Sequence, residues 1–214
     1  MVELFLFDLG KVLIDFDFAI AIKKLQERNS LNYKKIHALF SDSDLARLWD
    51  RGLLSEEAFY LRLKNDLNLK IKMEELIPIW NDIFSEKKES ISLALSLKRL
   101  YKVMVMTNTN PWHLAYLRER FSWLSEFDGL VASCEVRLLK PEPEIYSLAL
   151  AQAKVSPEDA IYVDDLIQNV QAAKSLGIDA LQFLSFDHLA NELKERGFEL
   201  PSAGAALTFR NREL

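Results

Sequence analysis

The apolar positions of this chain change from continuous runs to helix-like spacing and back again. Continuous runs rich in β-branched and aromatic residues are typical of buried strands. We predict such strands at residues 2–7, 102–106, 130–132, 160–163 and 180–183. Helices are predicted at residues 90–100, 112–120, 170–176 and 187–196, and from the turn at 140–143 to about residue 153. Because strands and helices alternate, the pattern predicts a parallel sheet with right-handed crossovers.

Residues 19–84 follow a different pattern, in which the apolar groups recur at helical spacing. Short turn signals rich in Asn, Asp, Ser and Gly divide this stretch. The pattern predicts four or five short helices with no strand among them. We therefore predict an α/β fold in which a Rossmann-like core, residues 1–14 and 86–214, is interrupted by an all-α helical cap, residues 15–85. Such an insertion starts beside the end of the first strand, so it could cover a site at that end.

Composition narrows the class of protein further. The 214 residues are 50% hydrophobic, which is enough for a sizeable core, and the net charge of −5 argues against a dedicated nucleic-acid binder. The single cysteine, Cys134, excludes an intramolecular disulfide and a cysteine-cluster metal site. The N-terminus lacks the pattern of a signal peptide, and no apolar run reaches the ~18 residues of a membrane span. We expect a cytoplasmic protein with no membrane partner, and the oligomeric state stays open.

Polar side chains follow several of the predicted strands at the point where each strand ends. They are Asp8, Thr107, Asn108, Asp164 and Asp165, joined by Lys140 on a proline-braced loop. A carboxylate at the tip of a buried strand is costly unless a cation or a reaction compensates for it. The tips of neighbouring parallel strands meet in one crevice, where open α/β sheets bind ligands. Each residue alone has an ordinary interpretation as a cap, a turn or a surface lysine, but their common position favours a site.

The chemistry of this set is that of a phosphoryl group and a hard cation. Two carboxylates and a backbone carbonyl are oxygen ligands that suit Mg²⁺. A threonine hydroxyl, an amide and a lysine ammonium suit phosphoryl oxygens. We therefore expect a magnesium ion and a small phosphorylated metabolite as ligands of the crevice.

Four segments, taken in order, resemble the motifs of the haloacid dehalogenase superfamily of hydrolases, in its branch with a helical cap. The segments are Phe7 to Leu13, Met106 to Asn108, Lys140-Pro141 with Glu144-Ile145-Tyr146, and Val163 to Asp165 with Asn169. The chain most resembles the subgroup that contains bacterial α-glucose-1-phosphate phosphatase and the N-terminal phosphatase domain of soluble epoxide hydrolase. The paired aspartates and the Arg51-Gly52 turn of the cap favour that subgroup.

The resemblance implies a Mg²⁺-dependent phosphatase that works through an aspartyl-phosphate. It implies that Asp8 is the nucleophile and that Asp8, the Gly10 carbonyl and Asp165 bind Mg²⁺. It also implies that Thr107, Asn108 and Lys140 bind the phosphoryl group, and that Lys140 offsets the charge of the nucleophile. Asp164 and Asn169 are expected behind these groups, where Asp164 orients Lys140 or a water. Sugar phosphates are the substrates that the subgroup suggests.

Gly10 departs from the common pattern of the superfamily, in which a second Asp stands there as general acid and base. General acid–base help is worth about 10²–10⁴-fold, so we hypothesise a leaving group that needs little protonation, such as a sugar 1-phosphate or an acyl phosphate. Asp15 or Asp17 could substitute for the missing acid.

Three cap aromatics, Phe16, Trp49 and Trp80, are expected to shape the pocket, although amphipathic helices need such residues in any case. Two alternative functions stay open at this point. One is a metal-independent 2-haloacid dehalogenase, and the other is a non-catalytic phosphate-binding or regulatory protein.

Overall fold

The computed structural model describes residues 1–28 and 43–199. One predicted helical group, at Ile36, Leu39 and Phe40, lies outside the described residues, as does the end of the tail beyond residue 199. The described part contains an α/β core and a helical cap, as predicted.

Five parallel strands form the central sheet. They are β1 (Leu4–Phe7), β4 (Lys102–Thr107), β5 (Gly129–Ala132), β6 (Ala160–Asp164) and β7 (Asp179–Gln182). Their order across the sheet is β5-β4-β1-β6-β7, so β1 lies at the centre with β4 and β6 as its neighbours. The chain moves outward from β4 to β5 and then crosses to β6 on the other side. The ends of β1, β4 and β6 therefore adjoin one another, where an α/β sheet of this kind binds ligands.

Alternating side chains of the strands support two separate apolar layers. In β1, Phe5 and Phe7 face one layer, while Leu4 and Leu6 face the other. Continuous apolar runs are required because both faces of the sheet are covered. The covering helices are α5 (Lys88–Leu97), α6 (Pro111–Arg120), α7 (Ser133–Val136), α8 (Pro143–Ala153), α9 (Ile167–Ser175) and α10 (Phe186–Glu195). The short helix α7 was not predicted from the sequence.

Four described helices build the cap. They are α1 (Phe18–Arg28), α2 (Asp44–Asp50), α3 (Glu56–Leu67) and α4 (Met73–Asn81). The prediction that this stretch contains no strand is wrong at its edge, because β2 (Ile14–Phe16) pairs antiparallel with β3 (Phe84–Glu86). This two-stranded ribbon joins the cap to the core. Three-residue strands are too short to show an alternating pattern in the sequence.

The apolar interior of the cap is closed by a residue of the core. Trp112, in the first turn of α6, belongs to the same buried cluster as Trp49, Phe59 and Trp80. The indole N–H of Trp112 also donates a hydrogen bond to Glu56 Oε2 at 3.0 Å. The cap therefore packs directly on the core helix that follows β4. Within the described ranges, no helix has the length and apolar character needed to cross a bilayer.

Candidate active site

The predicted site residues meet at the carboxyl edge of the sheet. Asp8 follows β1, and its backbone N–H donates to Val163 of β6 at 2.8 Å. Thr107 ends β4 on one side of Asp8, while Asp164 ends β6 on the other. All three side chains belong to buried residues. The topology alone therefore explains why segments far apart in sequence share one crevice.

Lys140 lies between two carboxylates at the centre of the crevice. Its Nζ is 2.7 Å from Asp8 Oδ1 and 2.7 Å from Asp164 Oδ2. Its side chain is only 2% exposed, so this is not the surface lysine that its residue type would suggest. Burial acts to lower the pKa of Lys140, but Asp8 and then Asp164 outweigh it and raise that pKa. Lys140 is therefore a fixed positive charge beside the predicted nucleophile.

The ion pair with Lys140 compensates only partly for the burial of the Asp8 carboxylate. Burial raises the pKa of its carboxyl to about 7, with a further contribution from Asp164, while Lys140 and the Leu9 N–H act against the rise. The Leu9 N–H donates to Asp8 Oδ1 at 2.7 Å. Asp8, Asp164 and Lys140 together carry a net charge of −1 when all are ionised, so a further cation would be stabilised beside them.

Asp164 is the best satisfied carboxylate of the crevice. It accepts hydrogen bonds from the Leu166 N–H at 2.8 Å, the Asn169 amide at 3.0 and 3.1 Å, and the Tyr162 hydroxyl. Burial alone would raise its pKa, but Lys140 and these donors hold the pKa below its usual range. Asp164 and Asn169 thus lie behind the site, where Asp164 orients Lys140.

The side chain of Asn108 holds the Lys140 loop by two hydrogen bonds. Its Nδ2 donates to the Lys140 carbonyl at 2.9 Å, and its Oδ1 accepts from the Lys140 N–H at 2.8 Å. Fixing the backbone of Lys140 is a role that the sequence did not predict for this residue. The predicted contacts of Asn108 and Thr107 with phosphoryl oxygens stay predictions.

An acidic group in the crevice fits a divalent metal ion. One carboxylate oxygen from each of Asp8, Asp164 and Asp165 lies within 4.8 Å of the others. Asp164 already accepts from four donors, so Asp8 and Asp165 have more acceptor positions left, and their role as metal ligands stays a prediction. Burial and then the charge of Asp164 raise the pKa of Asp165, so a cation here would relieve repulsion. These hard oxygen ligands suit Mg²⁺.

Phe16 explains how the fold accommodates Gly10. A Cβ atom at position 10 would lie 3.0 Å from Cε1 of the Phe16 ring. The ring therefore occupies the space into which a second aspartate side chain would extend. The Phe16 ring thus lies next to the position at which most members of the superfamily have the general acid.

Asp15 and Asp17, the two residues suggested as substitutes for that acid, have other partners in the structure. The Lys11 ammonium binds the Asp15 carboxylate and lowers its pKa, and the Asp17 carboxylate accepts from the Ala19 N–H at 2.8 Å. Both residues line a separate groove on the outside of the β2–β3 ribbon. Neither residue lines the cavity next to the crevice, so the hypothesis that one of them serves as the acid stays a prediction without support from this geometry.

A cavity of about 360 Å³ lies between the crevice and the cap. Gly10, Thr107 and Asn108 form its floor on the core side. Its walls include the three predicted aromatics, Phe16, Trp49 and Trp80, together with Phe18, Phe59 and Phe84. The prediction that cap aromatics shape the pocket is confirmed.

Four polar residues that line the cavity were not predicted from the sequence: Asp50, Thr109, Asn110 and His113. Asp50 is the last residue of α2, and burial raises the pKa of its carboxyl to about 7. His113 is buried in α6, and burial lowers the pKa of its imidazole to about 3 although the Trp80 carbonyl opposes this. No motif contains Asp50 or His113, so the sequence offered no signal for these two.

Comparison with known proteins identifies the class. Residues 2–177 match the family described as haloacid dehalogenase-like hydrolase, and the chain therefore belongs to this hydrolase family. The predicted family and enzyme class are thereby confirmed.

Individual relatives and structures agree with this assignment. D-ribitol-5-phosphate phosphatase of Bacteroides thetaiotaomicron is 25% identical over 189 residues, 85% of this chain and 92% of its own length. Phosphorylated carbohydrates phosphatase of Thermotoga maritima is 30% identical, covering 72% and 70% of the two chains. Bifunctional epoxide hydrolase 2 of Sus scrofa is 29% identical over 55% of this chain, but that match spans only 22% of the larger protein. Among solved structures, the same fold is found in a HAD family enzyme from Bacteroides thetaiotaomicron in complex with magnesium and inorganic phosphate. The TM-score is 0.78 at 23% identity, and the match covers 88% of this chain and 99% of that enzyme.

Proposed function

We propose that this protein is a Mg²⁺-dependent phosphatase that hydrolyses small phosphorylated metabolites, such as sugar or polyol phosphates. The observation that carries the proposal is the buried triad in which Lys140 joins Asp8 to Asp164, beside the metal-binding pair Asp8 and Asp165. The names of the relatives from Bacteroides and Thermotoga support a phosphorylated carbohydrate as substrate.

The reaction begins with attack of an Asp8 carboxylate oxygen on phosphorus. A bond forms between that oxygen and phosphorus while the bond from phosphorus to the leaving oxygen breaks, and the leaving oxygen departs as an anion that takes a proton from water. Lys140 offsets the charge that Asp8 and the phosphoryl group bring together. Water then attacks the aspartyl-phosphate, which releases inorganic phosphate and restores Asp8.

Asp8, the Gly10 carbonyl and Asp165 would hold the Mg²⁺, whose charge when bound reduces repulsion between the carboxylates and the phosphoryl oxygens. Asp164 holds Lys140 in place from behind, and Asn108 fixes the same loop through its backbone. Thr107 would contact the phosphoryl oxygens from the end of β4. Residues of the cap line the cavity opposite the core, where they would surround the leaving group.

The test is release of inorganic phosphate across a panel of sugar 1-phosphates, polyol phosphates and acyl phosphates. We expect turnover with Mg²⁺, its loss in EDTA, and a fall of about 10⁴-fold or more in Asp8→Asn because the nucleophile is gone. Asp66→Asn, the same chemical change at an exposed acid of α3, should keep the full rate.

Three outcomes would contradict the proposal. No turnover of any phosphate would favour the non-catalytic alternative. Activity on 2-haloacids that survives EDTA would favour a dehalogenase, and a wild-type rate in Asp8→Asn would refute the assigned nucleophile.

A further inference from the structure

The cavity above the crevice has one polar region in an otherwise largely aromatic wall. This region, which we call the polar cluster, consists of Asp50 from the cap and Asn110 and His113 from the core helix α6 and its N-terminal cap. None of the three belongs to the groups that would hold Mg²⁺ or the phosphoryl group. The cluster lies on the side of the cavity where the non-phosphorylated part of a substrate would extend.

Hydrogen bonds fix the orientation of Asn110. Its Oδ1 accepts from the His113 backbone N–H at 3.0 Å, so Nδ2 is the end that faces the other members of the cluster. Nδ2 lies 3.0 Å from His113 Nδ1 and also faces the Asp50 carboxyl as a donor. Because Nδ1 accepts this hydrogen bond and burial keeps the ring neutral, the imidazole proton is on Nε2. That Nε2 is buried and faces the Trp80 carbonyl, but it makes no hydrogen bond of good geometry within the described residues.

The surroundings of Asp50 destabilise the charged form of its carboxyl. Its carboxyl is at the C-terminal end of α2, where the helix dipole disfavours negative charge. Among residues 1–28 and 43–199 it forms no ion pair, and Asn110 is the only side-chain donor that faces it. Burial raises its pKa to about 7, as expected for a carboxyl with too few partners. Acceptor capacity is therefore left over on the side of the cavity.

The backbone around Asp50 is held in place from the core. The Ser133 hydroxyl donates to the Asp50 carbonyl at 2.6 Å, and Arg51 binds the Arg137 carbonyl at 3.1 Å and the Glu142 carboxylate. Gly52, at φ 63°, passes so close that a Cβ atom there would lie 2.1 Å from the Cys134 carbonyl oxygen. The carboxyl is thus held against the cavity by the packing of the cap on α7.

We propose that the polar cluster is a hydroxyl-binding subsite, which selects phosphate esters of polyhydroxylated alcohols over those of apolar alcohols. This inference rests on the proposed phosphatase function and names its substrate class. Substrate hydroxyls would donate to the Asp50 carboxyl and accept from His113 Nε2. A polyol also has C–H groups that can pack on aromatic rings, which matches Trp49, Phe59 and Trp80 in the lining of the same cavity.

An apolar alcohol would leave the polar cluster desolvated and without partners. Sites built to bind a substrate hydroxyl reject analogues that lack it by up to about 10⁴–10⁵-fold. The same geometry that makes Asp50 costly in the free protein therefore supplies the discrimination when a ligand is bound.

The experiment compares ribitol 5-phosphate with n-pentyl phosphate, which have the same chain length, the same primary ester and different hydroxyl content. Each is measured as a competitor of acetyl phosphate turnover and by calorimetry on Asp8→Asn with Mg²⁺, so that binding is read without turnover. We expect ribitol 5-phosphate to bind at least about 100-fold more tightly. In Asp50→Ala the ratio should fall below about tenfold, and in Asp50→Asn it should be intermediate.

Acetyl phosphate is the internal reference, because its small acyl group does not extend to the cluster. Its kcat/KM should change less than about threefold in Asp50→Ala, and Asp66→Asn should leave every value unchanged. Equal losses for all three ligands, a wild-type ratio near one, or an unchanged ratio in Asp50→Ala would each overturn the subsite. Failure of acetyl phosphate turnover in the wild-type protein would instead overturn the phosphatase function itself.

Discussion

Asp164 and Asp50 are two carboxyls shielded from solvent, one in the core and one in the cap, whose surroundings are opposite. Asp164 receives hydrogen bonds from Tyr162, Leu166 and Asn169 in addition to its ion pair with Lys140, and its pKa is lowered. Within the described part of the chain, Asp50 faces one amide donor, and burial raises its pKa to about 7. The donors of the core thus stabilise the charged form of Asp164, whereas in the cap the Asp50 carboxyl keeps acceptor positions without a hydrogen bond.

The difference separates two tasks within one cavity. The core groups must hold the same geometry for every phosphate ester, which requires a network whose members are all satisfied. The cap groups must recognise what varies between substrates, and only an incompletely satisfied group gains by binding a ligand. Each prediction below changes one side of this comparison.

The largest effect is expected from removing the central charge of the core in Lys140→Met. Asp8 and Asp164 would then be buried close together without the ammonium that now lies 2.7 Å from each. Breaking a buried pair in this way costs about 3–5 kcal/mol. Urea unfolding at pH 8 in EDTA should show this loss in free energy of unfolding, and phosphate release should also fall.

Lys98→Met is the matched control for this substitution. Lys98 pairs with Asp128 at 2.7 Å on the surface, with side chains 27% and 38% exposed, and such pairs contribute at most about 1 kcal/mol. Equal losses in the two variants would mean that the Lys140 triad is no more than an ordinary ion pair.

A smaller and opposite effect is expected from Asp50→Asn on the cap side. The folded pKa of about 7 lies above the usual 3.8, so the folded state binds more protons than the unfolded state between these values. Wild-type stability contributed by this group therefore falls as pH rises from about 4 to 7. Relative to wild type, the variant should gain stability over that window, by an amount of the order of a few kcal/mol, and keep the gain above it.

Thermal or urea unfolding of both proteins from pH 4 to pH 8 measures this difference. The Cys134 thiol, which interacts with the charge of Asp50, has a pKa of about 11, and His113, which shares the Asn110 amide with Asp50, has a pKa of about 3, so neither titrates within the window. Asp66→Asn, at an exposed acid paired with Arg62, should show no gain that grows with pH. An Asp50→Asn variant that is less stable than wild type at pH 8 would show that the carboxylate is well compensated.

The same comparison explains which parts of the molecule could be predicted from sequence. The core strands were found because strands covered on both faces must be continuous apolar runs, as at Lys102–Thr107. Asp8, Thr107 and Asp164 were found because parallel strand ends share one edge of the sheet. Family motifs then located Lys140, which its residue type alone would have placed on the surface.

The features that were missed depend on tertiary contacts without a sequence pattern. Asp50 ends a seven-residue helix, where an acid normally faces water, but it is half-buried at the place where the cap packs on α7. The role of Asn108 in binding the Lys140 backbone requires the two loops to be adjacent. The β2–β3 ribbon has strands too short for periodicity to be visible.

The smallest effect is expected where core and cap meet, at Gly10 and Phe16. In Gly10→Asp the new Cβ would lie 3.0 Å from the Phe16 ring, and overpacking of this kind costs about 1–3 kcal/mol. Gly10→Asp with Phe16→Ala should therefore be more stable than the sum of the two single changes predicts, because the ring no longer meets the new side chain. Urea unfolding of the four proteins in this double-mutant cycle measures the coupling.

Turnover by the same double variant tests the hypothesis about the leaving group. A carboxyl at position 10 can protonate a leaving oxygen, and such help is worth about 10²–10⁴-fold where protonation is required. Relative to Phe16→Ala, primary alkyl phosphates should therefore gain much more rate than acyl phosphates or sugar 1-phosphates. Equal gains for all of them would show that Gly10 does not restrict the leaving group, and that the space next to Phe16 serves packing alone.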